Sequence, residues 1–167
     1  VIVPDCVGFG KSDKFLSKYD YSYKHHVDVM KELVQRLDLK NATFFGQDWG
    51  GLVGLRVVGE LPDRFSHVVV SNTGLVARSG VTAWLFEKFV QFRVWWIGPI
   101  TFEELMDKAK EALTVENPSP TTGISMFSNW IAYSYYADDM NIAGIIKNFG
   151  GIDLSEEEAY AYEAPYP

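Results

Sequence analysis

The chain has a single cysteine, Cys6, among its 167 residues. With no second thiol it can form neither an internal disulfide nor a cysteine-based zinc site, so a reducing compartment such as the cytoplasm is the default, and Cys6 reads as a small core residue. A membrane-length apolar run is also missing: the most apolar stretch, Val94-Trp95-Trp96-Ile97, is stopped by Gly98-Pro99. Clustered positive charge is absent too. A formal net charge of −7 with no run of Lys or Arg excludes the surface that a nucleic acid or an anionic membrane requires, and neutral or weakly charged partners fit better. No grouping of His, Asp and Glu has metal-ligand spacing, and no glycine-rich loop carries a P-loop Lys-Ser or Lys-Thr pair in register, so neither a metal nor a nucleotide cofactor is implied.

What is present is a globular balance, 47% hydrophobic against 22% charged residues, on a chain long enough for one sizeable core or a small domain plus part of a second. The sequence begins without Met inside an apolar run and ends on Pro167 after Ala164-Pro165-Tyr166, so it is expected to be an internal piece of a longer protein. Val1-Ile2-Val3 reads as a buried strand entering the loop Gly8-Phe9-Gly10-Lys11-Ser12-Asp13. Val27, Met30, Leu33, Val34 and Leu37 mark an amphipathic helix, Ala42 to Phe45 a strand, Leu52 to Glu60 a helix, and Val68-Val69-Val70 a strand ending at Ser71-Asn72. Strands alternating with helices predict a parallel sheet with helices on its faces, an α/β fold. From about Arg78 only helical segments follow: an aromatic-rich stretch from Trp84 to Trp96, then Glu103 to Leu113, Phe127 to Tyr136 and Ser155 to Tyr162, with Glu116 to Gly123 as an exposed loop. The expected organisation is therefore a sheet-based core over 1–77 and an α-helical cap over 78–167.

The chemistry centres on Gly46-Gln47-Asp48-Trp49-Gly50-Gly51, where an apolar strand passes at once into a helix. That is the form of a nucleophile elbow, a turn so tight that small residues must flank its central one. It lifts Asp48 above the carboxyl edge of the sheet, where open parallel sheets bind ligands, and beside a helix N-terminus, whose dipole and free N–H groups favour a carboxylate. An aspartate here could also simply cap the helix from Leu52. A cap alone, however, does not call for glycine at 46, 50 and 51 with Trp beside the acid. A carboxylate nucleophile needs no base to activate it and can displace a leaving group from saturated carbon, and the resulting alkyl ester then requires water and a positioned His.

These residues resemble those of the haloalkane dehalogenase family of α/β-hydrolases, over nearly the whole chain. The matching stretches are Val1-Ile2-Val3-Pro4-Asp5 through Asp13, the elbow with Gln47 and Trp49 around Asp48, Leu61-Pro62-Asp63-Arg64-Phe65, and Leu154-Ser155-Glu156-Glu157 to Ala164-Pro165-Tyr166-Pro167. The resemblance implies an α/β-hydrolase core with a helical cap, and hydrolysis of a small halogenated organic substrate with water, giving an alcohol and a halide ion without a cofactor. It assigns Asp48 as nucleophile and Trp49 as halide donor through its indole and oxyanion donor through its backbone N–H. The second halide donor comes, according to subfamily, from an Asn near the amino-terminal end or from a cap Trp; counting back from Lys147 and the segment Ile142 to Phe149, the cap Trp falls on Trp130, with Trp84 as its rival. Asn72 stands where some members carry the catalytic acid, which points to the subfamily with the Trp pair and an acid after a later strand. The acid, the His and the second oxyanion donor are expected outside residues 1–167, so residues 1–167 by themselves would form the alkyl-enzyme at most. The segment from Arg78 to Ser125 is longer than the subfamily's cap entries.

Two other readings belong beside this one. An epoxide hydrolase uses the same aspartate elbow with cap tyrosines as acids, for which Tyr133, Tyr135 and Tyr136 are available, although Gln47 and the position of Trp130 favour dehalogenation. A hydrolase-like binding domain without catalysis is the third, since His25, His26 and His67 all read as structural or exposed.

Overall fold

The computed structural model describes residues 1–74, 80–114, 116–117 and 119–165. The chain divides into two compact units, Val1–Ala77 and Arg78–Pro165. The boundary expected near residue 77 falls within 75–79, outside the described residues, as do Tyr166 and Pro167 of the closing stretch.

In the first unit α1 (Tyr23–Arg36) leads to β1 (Ala42–Gln47), α2 (Asp48–Glu60) and β2 (Phe65–Ser71). Ser22 starts α1 by accepting the His25 N–H on its side chain. β1 and β2 pair in parallel, from Ala42 opposite Phe65 to Gln47 opposite Ser71, with an irregularity after Ala42. The core lies between the two helices: Val27 and Val34 of α1 meet Val53 and Val57 of α2, with Met30, Leu39, Leu61 and Phe65 around them. Each such valine removes apolar surface worth about 1.5–3 kcal/mol from water. The Phe44 ring fills the gap under α2, standing 2.1 Å from where a Cβ on Gly54 would be. Val68, Val69 and Val70 nevertheless remain about half exposed, so among the described residues the helices cover the sheet only in part.

Val1-Ile2-Val3 is not a strand, contrary to expectation. All three residues are exposed and pair with nothing among the described residues. An extended apolar segment becomes a strand only when a neighbour takes its backbone N–H and C=O groups.

The second unit holds α3 (Gly80–Ile97), α4 (Phe102–Thr114), α5 (Pro120–Tyr136), α6 (Ile142–Gly150) and α7 (Glu156–Glu163), and no strand follows Ser71 among the described residues. Leu105 and Met106 of α4 pack on Tyr133 of α5, and Trp130, Phe102 and Ile145 close around them. α5 starts inside the stretch expected to be a loop, because Pro120 at its first turn is pre-set for helix and needs no N–H partner there. Ser155 and Glu158 form a capping box at α7, and Glu163 accepts the Ala143 N–H at 2.7 Å, tying α7 to the start of α6.

Glu60 ends α2 and joins it to α1 by accepting from Lys31, while Arg56 of its own helix holds its other oxygen. These two hydrogen-bonded cations push the Glu60 carboxyl down to about 2 from 4.5. Because the folded-state value is depressed, the stabilisation is present above pH 4.5 and disappears as the pH falls towards 2. Glu60→Gln is therefore expected to lose less stability between those pH values than the native chain in urea unfolding. Equal losses would show that Glu60 is not linked to folding.

Candidate active site

β1 runs into α2 with no residue between them, and Asp48 opens the helix at φ +47. For a residue with a Cβ this left-handed conformation costs about 1–2 kcal/mol, so something must enforce it. The enforcement is close packing around the turn. A Cβ on Gly46 would lie 2.3 Å from the Phe44 ring and 2.9 Å from the Gly51 Cα, and a Cβ on Gly51 would lie 2.3 Å from the Thr73 hydroxyl oxygen. Gly50, by contrast, faces open space, so of the three glycines thought to be required by the turn only two are.

Asp48 is exposed at the carboxyl end of β1. Gln47 occupies the cap position of α2 without a side-chain cap bond, and no hydrogen bond among the described residues ends on the Asp48 carboxylate. Asp48 thus makes no capping hydrogen bond among the described residues. The N–H groups of the first turn of α2 have no carbonyl four residues back to accept them, and the positive end of the helix dipole faces the same point. Trp49 follows Asp48 directly and is 62% exposed. Because Gln47 pairs with Ser71, the next residues along the two strands, Asp48 and Asn72, share one level, and Asn72 also has a positive φ, +41.

Trp130 belongs to the second unit, where it packs partly buried against Leu105, Met106 and Tyr133. Trp84 lies on α3 and is largely exposed. Tyr133 is 3% exposed and its hydroxyl accepts the Asn141 N–H at 3.2 Å, whereas Tyr135 and Tyr136 meet edge to face. His67 is opposite Thr43, which puts it about 16 Å down the strands from Asp48. His25 and His26 sit in an aromatic group with Phe15 and Tyr21, and burial followed by His25 lowers the His26 pKa. Cys6 is half-buried, with its thiol pKa raised by burial and then by Asp5. Among the described residues no three His, Cys, Asp or Glu side chains gather to hold a metal ion, and no helix is long and apolar enough to cross a membrane.

Thr73 is the residue that sequence reasoning passed over. Its hydroxyl donates to the Asp48 carbonyl at 2.8 Å and its side chain rests on Gly51. Only the strand register brings it to the elbow, and a lone Thr after a strand carries no such signal. The packing predicts opposite outcomes for adjacent glycines. Gly51→Ala is expected to destabilise by about 1–3 kcal/mol through overpacking, whereas Gly50→Ala should be neutral or stabilising by up to ~1 kcal/mol. Equilibrium unfolding of both variants checks this, and equal effects would refute it.

Comparison with known proteins agrees with this fold. The profile of the alpha/beta hydrolase fold family matches residues 1–148. The haloalkane dehalogenase of Psychrobacter cryohalolentis is 50% identical over 92 residues, which is 55% of this chain and 30% of that protein. The cis-3-alkyl-4-alkyloxetan-2-one decarboxylase of Shewanella oneidensis is 41% identical over 75 residues, 44% of this chain and 24% of that one. Among solved structures, the tetrameric haloalkane dehalogenase of Paraglaciecola agarilytica matches with a TM-score of 0.61 at 26% identity, covering 98% of this chain and 41% of its own. The chain thus spans well under half the length of the relatives it matches. On the elbow geometry and the profile match together, this chain belongs to the alpha/beta hydrolase fold family.

Proposed function

We propose that the chain is part of a longer haloalkane dehalogenase, with residues 1–77 contributing to the hydrolase core and 78–167 to its helical cap. The observation that carries this reading is Asp48, an exposed carboxylate in a left-handed turn between strand and helix, with an exposed Trp at the next position. An Asp48 oxygen attacks the carbon bearing the halogen, an ester bond forms, and the carbon–halogen bond breaks with its electron pair leaving as halide. Water then adds to the ester carbonyl and gives its proton to a base outside residues 1–167. The acyl–oxygen bond breaks, releasing the alcohol and returning the carboxylate.

Trp49 has two tasks in this scheme. Its indole N–H donates to the departing halide, and its backbone N–H, free in the first turn of α2, donates to the oxyanion formed during ester hydrolysis. Trp130 is the proposed second halide donor, although its packing on Leu105, Met106 and Tyr133 is also what a cap core residue would show. The burial of Tyr133, only 3% exposed, weighs against its use as an acid on an epoxide.

A second reading rests on the similarity to the oxetan-2-one decarboxylase, whose matched stretch is of comparable length. In that case the longer protein would release carbon dioxide from a strained lactone instead of halide from an alkyl chain.

The longer protein, given a bromoalkane, an epoxide and a dialkyl oxetan-2-one separately, is expected to release bromide and alcohol from the first. Asp48→Asn should lower that rate by about four orders of magnitude or more. Trp49→Phe should lower it about a hundredfold, and an unchanged rate in Trp130→Phe would reassign that residue to packing. Carbon dioxide or diol as the product, without bromide release, would sink the dehalogenase reading.

A further inference from the structure

We propose that Thr73 is a positioning residue that sets the direction of the Trp49 backbone N–H, an inference that rests on the reading of Asp48 and Trp49 given above. Three observations carry it. The Thr73 hydroxyl donates to the backbone carbonyl of Asp48 at 2.8 Å. The Thr73 Oγ1, Cβ and Cγ2 atoms stand 2.3–2.5 Å from where a Cβ on Gly51 would be, so the side chain sits directly against the first turn of α2. Asn72 at φ +41 turns the chain at the end of β2, just before Thr73.

The Asp48 carbonyl and the Trp49 N–H belong to one peptide plane. No cis bond is present among the described residues, and in a trans peptide the two groups point in opposite directions. Holding the carbonyl toward the end of β2 therefore aims the N–H the other way, out of the helix start. A hydrogen bond on the carbonyl also polarises the peptide and strengthens its N–H as a donor. The hydroxyl of Thr73 thus acts on catalysis through a plane it does not share with the substrate, while its methyl wedges the turn against Gly51.

This role separates the two chemical steps. Attack on the halogenated carbon draws on the Asp48 carboxylate and the indole N–H of Trp49 but not on its backbone N–H, whereas ester hydrolysis places negative charge on an oxygen that the Trp49 backbone N–H must meet. Removing the Thr73 hydroxyl should then slow the second step more than the first, and the alkyl-enzyme should accumulate.

The test uses the longer protein in single-turnover experiments with a bromoalkane, comparing native protein with Thr73→Val and Thr73→Ser. Thr73→Val is expected to slow alkyl-enzyme hydrolysis about three- to tenfold, the effect of one neutral hydrogen bond, with less change in its formation. Thr73→Ser should restore most of the lost rate. A second readout does not depend on turnover. Asp-Trp occurs once within residues 1–167, so labelling Asp carbonyl carbon with ¹³C and Trp nitrogen with ¹⁵N isolates the Asp48–Trp49 peptide resonance from these residues. That resonance should move in Thr73→Val and return in Thr73→Ser. If Thr73→Val does not fold, Thr73→Ala replaces it in both measurements. An unmoved resonance with unchanged rates, or equal slowing of both steps that Ser does not restore, overturns the role of Thr73. If the resonance behaves as expected while the native protein releases no bromide, the positioning stands and the dehalogenase reading falls.

Discussion

The left-handed turn at Asp48 is the constraint on which the rest of the first unit depends. A residue with a Cβ reaches φ +47 only if the surrounding chain leaves no relaxed alternative. Here the strand leads straight into the helix, Gly46 and Gly51 allow the backbones to close up, Phe44 fills the space beneath α2, and Thr73 holds the Asp48 carbonyl from β2. The parallel pairing of β1 with β2 brings Thr73 within reach, and the α1–α2 core holds α2 against the sheet. A single carboxylate is thus presented by a strand, a helix, a neighbouring strand end and two glycines acting together.

Such a turn raises the carboxylate into the open and leaves it without a hydrogen-bond partner among the described residues, while the free N–H groups of α2 stay beside it. An acid whose lone pairs were used in capping would have less capacity to form a bond to carbon. Relatives with two different activities match this chain at comparable identity. On the proposed reading of Asp48 as nucleophile, the residues around the elbow are what would select the substrate.

Much of this was legible in the sequence because short-range rules govern it. The alternation of helix and strand, the elbow glycines and the amphipathic faces of α1 and α4 all reflect local spacing. α2 starts at Asp48, four residues before the expected Leu52, since a glycine pair reads as a turn while here Gly50 and Gly51 lie within the helix, Gly51 against Thr73. α6 is absent from the expected helices, though Asn141 as cap, Ile142, Ile145, Ile146 and Phe149 at helical spacing, and a glycine at 151, left-handed in the structure, all signal one. Val1-Ile2-Val3 failed because strand formation depends on a partner and not on propensity alone. Thr73 could not be found because its role exists only once Gln47 is opposite Ser71.

The ester mechanism makes a claim about oxygen atoms that can be read directly. In a single turnover of the longer protein with a bromoalkane in ¹⁸O-water, the product alcohol should carry ordinary oxygen, because its oxygen comes from the Asp48 carboxylate. The ¹⁸O should appear in the peptide containing Asp48. Label in the alcohol with none in that peptide would mean that water displaces the halide directly, and would contradict the account.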